Sequence, residues 1–316
     1  MFKNLVLISF ISLPLASENL LDIYNEALDN DPQYKSSEYS LLAGKEFVVQ
    51  GRAGLLPNVT LSGSTNWNEY YQFDELQSAY NNNSVTARLT QPLFRLDSWF
   101  NFKRSKKLTD ASEADFAYEQ QNLIIRTVEK YFGVLRAIDN LNAAVSEEKA
   151  IKKQLDQIQQ RFEVGLSAIT EVQEAQLAYD LSVAAKIRSE GALFNAREEL
   201  NSLIGREIFS IDSLKADIVP ENPNPTTKQE WVDIALKNNY RLQASVLRRD
   251  ASQDSARSSA SEHLPKINIV GTESESNTNQ YSYEGFEDFG FQAPSETQRK
   301  NYSLSLSIPI SQGGAV

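Results

Sequence analysis

Side chains that could carry out catalysis are sparse and scattered in this sequence. His263 is the only histidine, and alone it cannot build a histidine metal site or a Ser-His pair. The carboxylates are spread along predicted helices without a motif that would gather them into an acid and base pair. Neither a P-loop nor a glycine-rich dinucleotide loop occurs. The sequence therefore predicts a protein that is not an enzyme and that holds no cofactor and no metal.

Charge and cysteine content restrict the partners. The chain has 42 Asp and Glu against 31 Lys and Arg, a formal net charge of −11, which argues against nucleic acid as a partner. It has no cysteine, so disulfides and thiolate metal sites are excluded. One basic run comprises Lys103, Arg104, Lys106 and Lys107. We interpret it as a solvated helix face, and contact with acidic lipid headgroups or with a neighbouring chain is the alternative.

Alternation of apolar and hydroxyl side chains indicates strands that separate lipid from water. Near the end of the chain Tyr302, Leu304, Leu306, Ile308 and Ile310 point one way and Ser303, Ser305 and Ser307 the other. Such a pattern suits a barrel with a wet lumen, although the edge of a soluble β-sheet is the alternative. Weaker apolar stripes occur at Val59 and Leu61, Val85 and Leu89, and Ile267 and Ile269. Aromatic residues in the predicted flanking loops suit an interfacial girdle: Trp67, Tyr70, Tyr71, Phe73, Tyr281, Tyr283, Phe286, Phe289 and Phe291.

The elements that carry these stripes are duplicated. A shift of 208 residues brings eight identical residues into line without a gap between Ala27 and Gly63, where chance would give roughly two. Each copy reads as a helical stretch of about thirty residues, Leu-Pro, a strand, a polar and aromatic loop, and a second strand. The two copies therefore predict four strands.

Four strands cannot close into a barrel by themselves. An open sheet edge in lipid leaves backbone N–H and C=O groups unpaired, at several kcal/mol each. If these strands span a membrane, several chains must share one barrel. A dimer would supply eight strands, a trimer twelve and a tetramer sixteen, and a solute-conducting lumen argues against eight. Strand arithmetic predicts a symmetric assembly, but it does not select the number three.

The first seventeen residues have the pattern of a signal peptide. Lys3 supplies the positive charge, Leu5 to Leu13 the apolar region, and Leu15-Ala16-Ser17 a cleavage site before Glu18. We therefore expect an envelope protein. No other apolar run approaches eighteen residues, so the sequence predicts no transmembrane helix.

A long helical hairpin is predicted between the two copies. No proline occurs from Ser98 to Phe162, and 65 helical residues would reach about 98 Å. Glycine in the run from Phe162 to Ser167 suits a turn, Thr170 with Gln173 predicts a capping box, and the return helix runs to about Ile204 before Gly205. Apolar residues at coiled-coil spacing define the predicted seam: Ile124, Val128, Tyr131, Leu135, Ile138, Leu141, Val145, Ile151, Leu155, Ile158 and Phe162.

The predicted organisation follows from these elements. In chain order it begins with a signal peptide at 1–17, first-repeat helices at 18–56, a first membrane β-hairpin at 57–95 and the long helical hairpin at 96–205, with its tip at 163–170. It continues with a mixed segment and proline-rich linker at 206–227, second-repeat helices at 228–264, a second membrane β-hairpin at 265–310, and the start of a missing second long hairpin at 311–316.

Several stretches resemble the TolC family of outer-membrane efflux proteins. The most specific is the run from Gln160 to Gln173 around the helical turn. Further similar stretches lie at 131–139, 18–20, 263–265 and 309–314, so the resemblance covers everything after the signal peptide. Within the family, the chain is similar to the subgroup that serves type I secretion and multidrug efflux.

The resemblance implies a fold and a set of partners. It implies a homotrimer in which four strands per protomer form a shared twelve-strand outer-membrane β-barrel and long coiled-coil hairpins form a periplasmic α-barrel. The implied partners are a periplasmic adaptor, an inner-membrane pump of the ABC or RND type that supplies energy, and outer-membrane lipid. A secreted periplasmic coiled-coil adaptor or scaffold, with a soluble β-domain and no channel, is the alternative reading.

The resemblance also assigns roles to residues at the tip of the hairpin. Val164, Gly165, Leu166 and Ser167 match the motif where an adaptor docks, and the alternative is a turn selected for its own geometry. Three positions match a periplasmic gate: Gln154, Thr170 and Glu171. Glu171 stands where the family usually has Asp, and simple stabilisation by the helix dipole is its alternative role.

The second copy departs from this pattern. Its strands are followed by only seven residues after Pro309, whereas the first copy continues into a hairpin of more than 100 residues. If the duplication is complete in the gene, a second long hairpin, with the partners of Thr170 and Glu171, is expected after Gly314. We therefore expect the sequence to be a fragment or a truncated product of a channel subunit.

Overall fold

The computed structural model describes residues 18–214, 222–281 and 295–310. The predicted signal peptide, the aromatic residues Tyr283, Phe286, Phe289 and Phe291, and the residues after Ile310 lie outside the described residues. The chain forms two compact units, each built from separate stretches: one from the chain up to Ser40 with Phe116–Asn239, the other from Leu41–Asp115 with Tyr240 onward. In the described part of the chain, no helix combines the length and apolar character needed to cross a bilayer.

The duplication is visible in the elements themselves. Helices α1 (Leu20–Asn30) and α2 (Pro32–Ala53) precede strand β1 (Asn58–Gln72). In the second copy α5 (Lys228–Asn238), α6 (Tyr240–Ala260) and β3 (Lys266–Tyr281) begin at the same offset of 208 residues. Between the copies lie β2 (Glu75–Phe94), α3 (Leu96–Glu163) and α4 (Ile169–Ile204), and β4 (Ser295–Ser307) closes the described chain.

Each predicted thirty-residue helical stretch is broken once, at equivalent positions. Asp31 ends α1 and accepts hydrogen bonds from the backbone N–H groups of Gln33 and Tyr34 at 3.3 and 3.2 Å, with Pro32 as the first residue of α2. Asn239 ends α5, and its N–H donates to the carbonyl of Ala235 at 2.9 Å as that of Asp31 donates to Ala27. Thr227 is the N-cap of α5, and its side chain accepts a hydrogen bond from the backbone N–H of Glu230 at 3.4 Å.

The core of the first unit is formed where α1 packs against α3 and α4. Apolar side chains from all three helices are buried there, together with Ile208 after α4: Ile23, Ala27, Leu123, Tyr131, Val134, Ala137, Leu193, Leu200, Leu203 and Ile204. Gly205 has φ 76° and ends α4 as predicted, with its N–H donating to the carbonyl of Asn201 at 2.8 Å.

The predicted seam of α3 is correct in part. Tyr131 and Leu155 are buried, but Ile124 and Phe162 are 48% and 41% exposed, and the buried positions upstream are Leu123 and Thr127. Apolar residues occupy more than one face of α3 here, so spacing alone selected the wrong face at Ile124. Packing against α1 and α4 decides which face is covered.

The second unit contains a four-stranded antiparallel sheet in the order β1-β2-β3-β4. The predicted loop of the first copy is wrong, because Trp67, Tyr70 and Tyr71 lie within β1 and the connection to β2 is only Phe73 and Asp74. Both turn residues have positive φ, 52° and 64°, as a tight type I′ hairpin requires. Strand pairing continues into polar sequence because it depends on backbone hydrogen bonds, whereas the prediction followed the apolar stripe.

Within this unit α2 and α3 approach closely at glycine. A Cβ on Gly44 would lie 2.3 Å from Ser112 Oγ, and one on Gly51 would lie 2.5 Å from Ser105 Oγ. Thr109 Oγ1 donates to the carbonyl of Gly44 at 2.9 Å. The absence of a side chain at these two positions therefore sets the spacing of the two helices.

Candidate functional site

The turn between α3 and α4 is closed by backbone atoms alone. The N–H of Gly165 donates to the carbonyl of Phe162 at 2.9 Å, and that of Leu166 donates to the carbonyl of Arg161 at 2.8 Å. With φ 77° at Gly165, this is a Schellman motif. Val164 and Leu166 are 69% and 70% exposed. The tip therefore presents two apolar side chains to solvent on a rigid reversal.

The start of α4 differs from the predicted capping box. Ala168 occupies the N-cap and makes no side-chain cap, so Thr170 lies inside the first turn and cannot cap the helix with Gln173. The Ser167 hydroxyl instead donates to the carboxylate of Glu171. Glu171 lies in the first turn of α4, where a negative charge is stabilised by the helix dipole.

The residues predicted at the gate are all on the surface of the hairpin. Gln154, Thr170 and Glu171 are exposed, and of the three only Glu171 has a side-chain hydrogen bond within the described residues. The structure brings Glu171 to Ser167 and does not join Gln154 to either of the other two. Their side chains are available to a partner outside the described chain.

The sheet is amphipathic along its register. Val59 is opposite Leu89, Leu89 is opposite Gly271, and Gly271 is opposite Tyr302, so the weak stripes predicted on separate strands lie on one face. Members of this apolar face are mostly exposed: Val59, Leu61, Val85, Leu89, Ile269, Tyr302, Leu304 and Leu306. The other face carries hydroxyls and amides, where Ser64 Oγ and Ser84 Oγ are 2.9 Å apart and Ser276 Oγ donates to Asn82 Oδ1 at 2.9 Å.

The apolar face ends obliquely across the strands. Leu61, Ala87, Glu273 and Lys300 share one register row, so the same row is apolar on β1 and β2 and charged on β3 and β4. Lys300 Nζ lies 2.8 Å from Glu273 Oε1. Strands in closed barrels tilt by about 35–45°, so a membrane boundary crosses register rows at an angle. The oblique edge is what tilted strands produce.

At the base of the sheet, a charged cluster ties the strands to the helices. Arg95 Nε and Nη2 donate to the two carboxylate oxygens of Asp97 at 2.9 and 2.6 Å, and Lys266 Nζ lies 3.6 Å from the same carboxylate. The hydrogen bond from Arg95 lowers the pKa of Asp97 to about 2. The Ser258 hydroxyl donates to the carbonyl of Asp97 at 2.8 Å.

Polar residues that sequence reasoning missed hold the first unit together. Arg206 pairs with Glu18 and with Glu26, each at 2.8 Å, and their hydrogen bonds raise the pKa of the guanidinium. The Tyr131 hydroxyl donates to the carbonyls of Asp212 and Glu18 at 2.8 and 3.3 Å, and burial raises its pKa. Glu18 forms a parallel β-bridge with Ile211.

A second missed group lies where α1 meets α2. The Arg126 guanidinium on α3 contacts the carboxylates of Asp31 and Glu119. Burial opposes the charge on Arg126, but the hydrogen bonds and charges of its two partners outweigh it and raise its pKa. Asp31 is thus both the cap of α2 and a partner of α3. Within residues 18–214, 222–281 and 295–310 no cluster of three or more acidic or histidine side chains is placed to hold a metal ion.

Comparisons with known proteins identify the family. The model of the family described as outer membrane efflux protein matches residues 23–206. The chain belongs to this family. Family membership makes it an outer-membrane protein, and the fold is that of the outer-membrane efflux channels.

Individual relatives agree with this assignment. The chain is 31% identical to outer membrane protein TolC of Vibrio cholerae over 309 residues, 96% of this chain and 67% of the relative. It is 26% identical to the alkaline protease secretion protein AprF of Pseudomonas aeruginosa, over 93% of this chain and 61% of the relative. Among solved structures, the Campylobacter jejuni CmeC outer membrane channel superposes with a TM-score of 0.75 at 18% identity, covering 95% of this chain and 63% of that chain.

The chain is shorter than these relatives. It spans 60–67% of the length of the three TolC proteins that it matches.

Proposed function

We propose that this chain is a subunit of an outer-membrane exit duct for type I protein secretion and multidrug efflux, in which three copies form one twelve-stranded barrel. The observation that carries this proposal is the amphipathic four-stranded sheet, in which β1 and β4 are each paired on one side only within the described residues. Both are long edges, of 15 and 13 residues.

Edges of this length need partners in a membrane. Each unpaired backbone group costs several kcal/mol in hydrocarbon, so β4 of one copy must pair with β1 of the next until the ring closes. Three copies bring twelve strands, which leave room for a water-filled lumen lined by the hydroxyl face. The apolar face then meets lipid.

The surface of α4 favours assembly of the helical hairpins as well. Its apolar side chains Leu177, Leu181, Ile187 and Phe194 are 60–64% exposed. They lie away from the buried side of α4, which is formed by Ser182, Leu193 and Leu200. Helices of neighbouring copies in a periplasmic tunnel would cover these four side chains.

Partners and gate belong to the same proposal. Val164, Gly165, Leu166 and Ser167 form the docking tip for a periplasmic adaptor, because exposed apolar side chains on a rigid turn suit a helix-to-helix contact. Gln154, Thr170 and Glu171 contribute to a periplasmic gate through partners on another hairpin. The duct is passive, and an inner-membrane ABC or RND-type pump supplies the energy.

Cysteine cross-linking can count the subunits, because these 316 residues contain no cysteine. Each chain carries two cysteines, one in β1 at Thr60 or Ser62 and one in β4 at Ser303 or Ser305. The double variants are oxidised in outer-membrane fractions. Pairing of β4 with the β1 of a neighbour gives a ladder that ends at the covalent trimer.

The matched control places both cysteines inside one sheet. Thr86 and Ser274 are directly opposite each other on β2 and β3, so T86C/S274C gives only an internal disulfide and a monomer band. A ladder that ends at another number would contradict the trimer. Recovery of the chain as a water-soluble monomer, without heat-modifiable migration, would support the secreted scaffold instead.

A further inference from the structure

The two faces of the sheet differ in charge as well as in polarity. By register, the apolar face carries Glu69, Glu273, Glu275, Glu296 and Lys300 beyond its apolar band. The hydroxyl face carries Arg88, Arg299 and Lys266, and no carboxylate occurs on it at positions 58–70, 80–92, 266–278 and 295–307. This face is therefore purely cationic, although the whole chain has a net charge of −11.

Two of the three cations on the hydroxyl face are not neutralised. Lys266 lies near Asp97, at 3.6 Å, whereas Arg88 and Arg299 are exposed and pair with no carboxylate in the described part of the chain. Arg88 lies opposite Thr60 and Thr272, and Arg299 lies opposite Ser274, one row further along the same face. Strand spacing places their Cα atoms about 12 Å apart.

We propose that Arg88 and Arg299 form a cationic belt in the lumen of the barrel that favours the passage of anionic solutes, such as carboxylates and phosphates. The inference rests on the proposed function, since only a closed barrel gives the hydroxyl face a lumen. Three copies would bring six guanidinium groups into two adjacent rows. A guanidinium stays charged and binds oxyanions through several N–H donors.

The surroundings of the belt strengthen its effect. Neighbours on the same face are hydroxyls and amides, including Thr60, Ser62, Thr272 and Asn301, which solvate an anion without competing for the arginines. At Arg88 the wall has Ala87 and Leu89 of the apolar face behind it, which focuses the field into the lumen, so that fixed charge of one sign raises the local concentration of the opposite ion. The belt thus selects solutes by their charge, whereas the diameter of the barrel limits their size.

The test introduces charge after the channel has assembled. The full gene product is purified from outer membranes as R88C, R299C and the unsubstituted protein, and the reversal potential is measured in planar bilayers under a potassium chloride gradient. Loss of each arginine lowers the ratio of chloride to potassium permeability, and an anionic thiosulfonate reagent lowers it further, by about sevenfold for one kT of potential, because the two ion concentrations change in opposite directions. A cationic thiosulfonate restores it, and R88K/R299K keeps the original ratio.

Matched controls separate the two faces. S274C, on the hydroxyl face, reacts with the same reagents and gains chloride preference with the cationic one. K300C, on the apolar face in the row between Arg88 and Arg299, does not change the permeability ratio with either reagent.

The outcomes distinguish this inference from the proposed function. Modification of R88C and R299C that leaves the permeability ratio unchanged in a conducting channel overturns the cationic belt alone. If modification changes the permeability ratio at K300C and not at R88C, then the face that carries Lys300 lines the lumen, and this result also overturns the cationic belt. Failure of the unsubstituted protein to conduct overturns the channel, and with it the belt.

Discussion

At the scale of single residues, the groups that form the turn at the tip differ from the side chains that it exposes. Backbone atoms make the reversal, with the N–H groups of Gly165 and Leu166 donating to carbonyls of α3, whereas the side chains of Val164 and Leu166 take no part in its hydrogen bonds. Substitutions at Leu166 should therefore change what the tip binds and leave the turn intact.

The first prediction concerns Leu166→Asp. A charge at the centre of an apolar contact weakens adaptor binding by about 2 kcal/mol or more, because the carboxylate must be desolvated. We expect loss of drug tolerance and secretion in a complemented deletion strain, with unchanged amounts of oligomer in the outer membrane. Leu166→Met is the control and should retain activity. Full activity of Leu166→Asp would exclude this side chain from docking.

The second prediction concerns Asp97 and pH. Its folded-state pKa of about 2 lies below the ordinary value of 3.8, so its stabilising effect is fully present above pH 4 and is lost as pH falls toward 2. We expect Asp97→Asn to lower stability on the order of 2 kcal/mol at neutral pH. The thermal transitions of the variant and the unsubstituted protein should converge as pH approaches 2. A constant difference down to pH 2 would contradict the role of the Arg95 pair.

At the scale of elements, contact between helices depends on glycines that the sequence reading passed over. Gly44 and Gly51 are seven residues apart on α2 and face Ser112 and Ser105, which are also seven apart on α3. That shared heptad spacing of small residues is the signal that could have revealed the close approach.

The third prediction concerns the contact between Gly44 on α2 and Ser112 on α3. Gly44→Ala places a methyl group against Ser112 Oγ and Cβ, at 2.3 and 2.5 Å, and should destabilise the chain by about 1–3 kcal/mol. The double variant G44A/S112G removes the clash and should recover most of the loss, as measured by thermal or urea unfolding. Gly133→Ala is the control, since a Cβ there meets nothing within 4 Å. Equal loss in G44A and in the double variant would show that the contact does not set the spacing.

Strong local sequence signals predicted the bounds of the two long helices well. Absence of proline and a glycine stop gave α3 and α4 within two residues of Leu96, Glu163 and Ile204. The capping box failed because Ser167 bonds to Glu171 and leaves the N-cap to Ala168. The strands of the first hairpin were predicted too short, because Asn81, Asn82 and Asn83 continue the strand pairing without an apolar stripe.

Contacts between distant residues could not be predicted from the sequence. Arg126 and Asp31 are 95 positions apart, and Arg206 and Glu26 are 180 apart. No local pattern joins such pairs, since each arginine also fits an ordinary solvated surface. The turn that we propose as the docking tip could be located from the sequence because all four of its residues are consecutive.

At the scale of the whole molecule, apolar side chains are divided between the core of the chain and its exposed surface. Leu200 on α4 is 1% exposed, whereas Leu181 on the same helix is 61% exposed. The two leucines should therefore act on different equilibria.

The fourth prediction compares these two leucines. Leu181→Glu should leave the folding of one chain intact and prevent stable oligomers, because its side chain becomes buried only between copies. Leu200→Ala should destabilise the chain itself by about 2–5 kcal/mol through the cavity that it leaves. Oligomer bands in unheated gels report the first effect, and circular dichroism on heating reports the second. Normal oligomers of Leu181→Glu would mean that this face of α4 stays in water.

The backbone-closed turn has a consequence for how such a protein diverges. Since main-chain atoms and one glycine fix the reversal, Val164 and Leu166 are free to drift by mutation without a penalty in folding. A lineage could adapt to a different companion by replacing two side chains, and the rest of the hairpin could stay as it is.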